Sequence, residues 1–144
     1  MRLRLFNQLK NKDFAILTIY FDKSRVYTKL QDQKQVLYNY VTNIILDRAF
    51  TKKLVPTNQK IYLIASRRET NKFFNINFKS YLEKQVYNNH KLDIEVLIKT
   101  PHEEKCLQIV DFLSWGLFRK YKYQDDSYYN LFKNKIVEEN GWFT

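Results

Sequence analysis

The chain has one cysteine, two glycines and two prolines in 144 residues. A lone thiol, Cys106, excludes an intramolecular disulfide and any cysteine-rich zinc site, and its place among apolar neighbours reads as a small buried packing residue. With Gly116 and Gly141 the only glycines, no glycine-rich loop can cradle a phosphate. No nucleophile elbow or Ser/His/Asp order is visible either. His90 and His102 stand apart, with no His or Cys at metal-ligand spacing. Apolar runs fall well short of the roughly 20 residues that span a bilayer. Met1-Arg2-Leu3-Arg4-Leu5-Phe6 turns polar too early for a signal peptide. The expectation is a cytoplasmic protein with no membrane partner. Sparse punctuation and the absence of repeats point to one domain over residues 1–144.

Acidic residues are also scarce: 15 Asp and Glu against 25 Lys and Arg, a formal charge of +10. Such an excess suits an acidic partner, nucleic acid above all, although a merely solvated basic surface has the same composition. What is abundant is aromatic: 17% of the chain, within 44% apolar residues. That is enough to build a core for a chain of this length.

The apolar pattern switches period along the chain. Phe14 to Tyr20 reads as a buried strand. Val36, Leu37, Tyr40, Val41, Ile44, Ile45 and Ala49 recur at helical spacing. Ile61 to Ala65 is a second strand. Phe74, Phe78, Tyr81, Leu82 and Val86 mark a helix over about 73–87. Leu92, Ile94, Val96 and Ile98 alternate against Asp93, Glu95 and Leu97 in a third strand. Pro101 closes that strand and opens a helix that runs to about Tyr121. A last helix, signalled by Asp125-Asp126, carries Tyr128, Leu131, Phe132, Ile136 and Val137. Strands joined through helices imply parallel pairing and right-handed crossovers. The predicted fold is therefore α/β and three-layered, with a short, mainly parallel sheet flanked by helices. Ligands in such sheets sit beyond the carboxyl ends of the strands, here near Asp22, Ser66 to Glu69, and Lys99-Thr100.

One residue breaks the pattern. Asp111 lies in the apolar run Cys106 to Phe118, and with Glu104, Gln108 and Ser114 it forms a polar stripe at helical spacing. An ionised carboxylate in apolar surroundings costs several kcal/mol unless a partner compensates. The stripe is thus either an internal hydrogen-bond network or part of a metal site.

Gln108-Ile109-Val110-Asp111, followed by Phe112, Trp115, Phe118-Arg119-Lys120-Tyr121 and Asp125-Asp126, resembles the signature of the domain of unknown function 3800 family. The similarity is strongest over residues 61–72 and 104–139. It implies an RNase H-like core and kinship with metal-dependent nucleases, which hold Mg²⁺ or Mn²⁺ on carboxylates. In that reading Asp111 and Asp22 are the catalytic and metal-binding acids, with Gln108 supporting Asp111; Asp22, just past the first strand, equally fits a salt bridge with Lys23 or Arg25 or a cap on the next turn. Family members open on a strand carrying Asp-Glu-Ser, and no such motif precedes Phe14. A truncated core follows, with hydrolysis incomplete for this chain alone. It also follows that the chain is either an active metal-dependent nuclease or an inactive interaction module. The latter would join copies of itself or a separate N-terminal chain.

Two basic segments complete the reading. Arg67, Arg68 and Lys72, with Ser66 before them, are placed to grip phosphates at a strand end, or else form a solvated loop. Arg119-Lys120-Tyr121-Lys122-Tyr123 interleaves cations and aromatic rings, a composition suited to phosphate contact with base stacking. The same stretch fits an ordinary helix end, where cations offset the negative pole of the dipole.

Overall fold

A computed structural model describes residues 4, 7, 13–21, 34–66 and 72–142. Strand β1 is Ile16–Phe21, helix α1 Lys34–Thr51, β2 Ile61–Ser66, α2 Lys72–His90, β3 Ile94–Lys99 and α3 Lys105–Tyr123. A single-turn helix α4, Tyr129–Phe132, a 3₁₀ turn at Lys133–Lys135 and strand β4, Ile136–Trp142, follow. The protein is α/β, with short parallel sheets flanked by helices. Among the described residues no helix is long and apolar enough to cross a membrane.

The expected last helix stops at Phe132, and Ile136 and Val137 open β4 instead. Its partner is β1. Ile16 and Ile136, at the two strand starts, share one core, while Gly141 near the end of β4 lies against the Tyr20 ring, so the strands run the same way. A seven-residue segment of β-branched and polar residues takes the strand conformation because a backbone ladder is waiting for it, whatever its helical spacing. This pairing also changes the sheet. β1 joins β4 and β2 joins β3, giving two two-stranded sheets among the described residues where the sequence suggested one.

The chain gathers into two compact units: Met1–Ile16 with Lys99–Val137, and Leu17–Ile98 with Glu138–Thr144. In the second unit Leu46 and Phe50 of α1 pack with Leu82 and Val86 of α2 and Ile94 and Val96 of β3. The α2 face from Phe78 to Val86 and the alternation of β3 match the sequence pattern, and the Phe74 side chain lies outside the described residues. The face of α1 does not. Val36 and Tyr40 are exposed and Leu46 and Phe50 are buried, because α2 and β3 cover the C-terminal half of α1.

Two carboxylates hold this unit together. Glu83 of α2 accepts a hydrogen bond from the backbone N–H of the fully buried Val96 at 3.1 Å. A strand-edge donor that would otherwise be orphaned is thereby satisfied. Glu138 of β4, only 8% exposed, accepts from Arg48 Nε at 2.7 Å and from the Asn140 amide, with Lys52 Nζ 3.2 Å from its other oxygen. Burial pushes the Glu138 carboxyl up, but the donors from Arg48, Asn140 and Lys52 outweigh it and hold the group below its ordinary value.

The first unit is built around aromatic rings. Phe112 and Phe132 meet edge to face at 6.2 Å and 71°, with Ile16 and Leu117 beside them. The Phe132 ring sits close to α3 because Gly116 leaves room: a Cβ there would lie 2.9 Å from Phe132 Cε1.

Candidate functional site

Helix α3 carries the residues of the sequence signature, so its placement decides what they can do. The turn before it is tied by Glu103, whose carboxylate accepts from the Thr100 N–H and hydroxyl, both at 3.0 Å. The Gln108 amide then donates to the Pro101 carbonyl at 2.8 Å. That bond fastens the start of α3 to the chain before it.

Asp111 is exposed. The burial that made it conspicuous in the sequence is absent, and the reason is the rotation of α3. Leu107, Ile109, Phe112, Gly116 and Leu117 are the buried positions, which turns 110, 111, 114 and 118 outward. On a 100° wheel Asp111 lies nearly opposite Gly116, so the carboxylate keeps its water and needs no compensating partner. Cys106, expected as a buried packing residue, is exposed on the same helix.

A divalent cation of the Mg²⁺ or Mn²⁺ kind takes several oxygen ligands, usually from more than one carboxylate. Among the described residues no group of three or more His, Cys, Asp or Glu side chains is placed to hold one. Asp111 by itself does not make such a site. Asp22, Arg67 and Arg68 lie outside the described residues, and Lys72 opens α2. Ser66 is the last residue of β2, half-buried. His90 Nε2 stands 2.9 Å from Asp47 Oδ1, and its ring packs on Phe50 at 5.1 Å.

The densest chemistry lies at the other end of α3. Gln124, in the left-handed conformation at φ 54°, stops the helix, and the Asp125 N–H donates back to the Arg119 carbonyl at 3.1 Å. Asp125 then accepts from the Ser127 hydroxyl at 2.6 Å, the Ser127 N–H at 3.1 Å and Arg119 Nε at 2.9 Å. Those donors, Ser127 first and Arg119 next, hold the Asp125 carboxyl down at about 2. Arg119 is fixed in turn against three rings, its guanidinium carbon 5.4 Å from the Trp115 centroid, 5.5 Å from Tyr123 and 6.0 Å from Tyr128. Lys120 Nζ sits 3.7 Å over Tyr129 and 4.9 Å from Tyr121, and Lys122 Nζ 5.8 Å over Phe118.

Arg119 is a built-in structural cation, while Phe118, Tyr121, Lys122 and Tyr123 stay exposed. Sequence reasoning singled out Arg119 to Tyr123 but took Phe118 only as part of the family signature. The exposure of Phe118 was present in the spacing: 111, 118 and 122 share one outward stripe of α3. No protein-family model, no curated protein and no solved structure matches this chain.

Proposed function

We propose that the chain is a nucleic-acid-associated domain related to metal-dependent nucleases, acting through binding of a polyanion. The carrying observation is the C-terminal end of α3. There Arg119, Lys120 and Lys122 lie against aromatic rings, and several of those rings remain open to solvent. The formal charge of +10 supports the same reading, because it favours encounter with phosphates over most other partners. So does the likeness of the Gln108 to Asp111 segment to the family signature. Hydrolysis is left to the test below, since among the described residues no group of three or more His, Cys, Asp or Glu side chains is placed to hold a metal ion.

The test is fluorescence anisotropy with labelled oligonucleotides, in single-stranded and duplex form, over a salt series. Binding should weaken as salt rises, and replacing Lys120 and Lys122 together by Glu should weaken it further at every salt concentration. Failure to bind either form at low salt overturns the proposal. Strand cleavage in Mg²⁺ or Mn²⁺ that Asp111→Ala abolishes would extend it to catalysis.

A second reading is an inactive module that associates with another copy of itself. Two-stranded sheets favour it, since each leaves strand edges open to pairing among the described residues. Light scattering of the purified chain separates the two: a stable dimer without oligonucleotide binding supports the module.

A further inference from the structure

We infer that Phe118 and Tyr123 of α3 form a base-stacking platform that selects single-stranded nucleic acid over duplex. This rests on the nucleic-acid reading above and adds to it the form of the ligand.

The two rings differ from the core aromatic residues of their unit in how they are used. Phe112 and Phe132 are buried and fill the core. Phe118 is 50% exposed and Tyr123 58%, and they meet each other edge to face at 5.7 Å and 83°. Keeping two large rings in water on the outer side of a helix gives up burial worth well over the cost of one buried methylene each. Stability of α3 does not call for them, since Phe112, Gly116 and Leu117 already seat the helix.

Their surroundings say what kind of ligand fits. Lys122 Nζ stands 5.8 Å from the Phe118 ring and Arg119 5.5 Å from the Tyr123 ring, so each ring has a cation beside it. Alternating flat apolar faces and positive charges complement a chain of alternating bases and phosphates. An acidic peptide would match the cations and leave the ring faces without a use. Duplex nucleic acid has the same shortcoming, because its bases are stacked on one another and present only their edges. Unstacked bases are the groups that take up an open aromatic face.

One cation of the platform, Arg119, is held in place before any ligand arrives. Asp125 holds Arg119 at 2.9 Å, Ser127 holds Asp125, and Trp115 and Tyr128 back the guanidinium. Less freedom is then lost on binding than if the side chains had to be gathered at that moment. Asp111 lies on the same outward stripe as Phe118, about 10 Å along the helix axis at 1.5 Å per residue. A strand stacked on the platform and running up α3 would pass it.

The experiment compares an oligothymidylate of roughly eight nucleotides with a duplex of the same length. The full chain is tested as wild type, Phe118→Ala, Tyr123→Ala, Tyr123→Phe and Lys122→Ala. The wild type should bind the single strand at least about tenfold more tightly than the duplex. Phe118→Ala and Tyr123→Ala should each weaken single-strand binding by about tenfold with an unchanged salt slope, and Tyr123→Phe, which keeps the ring, by less than about twofold. Lys122→Ala should lower the salt slope by about one. All four substitutions are at exposed positions, and circular dichroism checks that each variant is folded. Equal affinity for duplex and single strand overturns the platform, as does ring removal that leaves affinity unchanged; both outcomes leave the broader nucleic-acid reading standing. Binding to neither form overturns both.

Discussion

Gly116→Ala sets helix propensity against packing at one position, and the magnitudes decide the sign. Alanine in a helix interior is favoured over glycine by about 1 kcal/mol. Gly116 is buried in the middle of α3, so that gain is available in full. The added Cβ, however, would stand 2.9 Å from Phe132 Cε1, 3.1 Å from Cζ and 3.5 Å from Tyr128 Cβ. Carbon atoms prefer about 3.5–4.0 Å, so two ring atoms would have to retreat by roughly 0.5 Å or more. Phe132 is fully buried and boxed in by Phe112 at 6.2 Å and Tyr129 at 5.8 Å, which leaves its ring little room to move. Overpacking of that kind costs about 1–3 kcal/mol. The balance is a net loss of about 1 kcal/mol, or a melting temperature lower by about 3 °C for a chain of this length. Urea unfolding followed by tryptophan fluorescence reads it directly, since Trp115 packs on the same core. A Phe132→Leu background removes the colliding ring atoms, and there Gly116→Ala should become stabilising by about 1 kcal/mol, a coupling of about 2 kcal/mol. Stabilisation by Gly116→Ala in the wild-type background would refute the reasoning, because the close approach of Phe132 would then not be what the glycine serves.

Two further outcomes test the other unit. Glu83→Ala should cost about 1–3 kcal/mol by leaving the Val96 N–H buried and unpaired, with faster hydrogen exchange at that amide, whereas Glu83→Gln keeps an acceptor and should cost less. Glu138 has its carboxyl lowered in the folded state, so its contribution is complete above the unfolded value and is lost as pH falls through the folded one. Wild type should therefore exceed Glu138→Gln in urea midpoint above about pH 5, and the gap should close as pH drops below about 4; a gap that stays constant down to pH 3 would contradict the Arg48 and Lys52 pairing.

The candidate site was legible in the sequence as a segment but not as a surface. The residues of α3 and their helical spacing could be read off directly, and so could the interleaving of cations and rings from Arg119 to Tyr123. Which side of the helix faced water could not. Leu107, Val110, Leu113 and Phe118 are all apolar, so several rotations of α3 would bury a comparable number of them. The true rotation is chosen by Phe132 and Tyr128 lodging against Gly116, and it carries Asp111, Phe118 and Lys122 outward. An aspartate that looked costly among apolar neighbours turned out to sit in water.

The amino-acid sequence by itself determined the order of strands and helices through β3, the buried face of α2 and the alternation of β3. These follow from periods of 3.6 and 2 acting on residues close together in the chain. Only the tertiary structure decided that Ile136–Trp142 is a strand, that the described strands pair as two sheets, and which side of α1 and α3 is covered. Each of those outcomes depends on a partner distant in sequence: β1 for β4, α2 and β3 for α1, Phe132 for α3. Local patterning specifies what an element can bury, and the neighbour that arrives from elsewhere in the chain selects what it does bury.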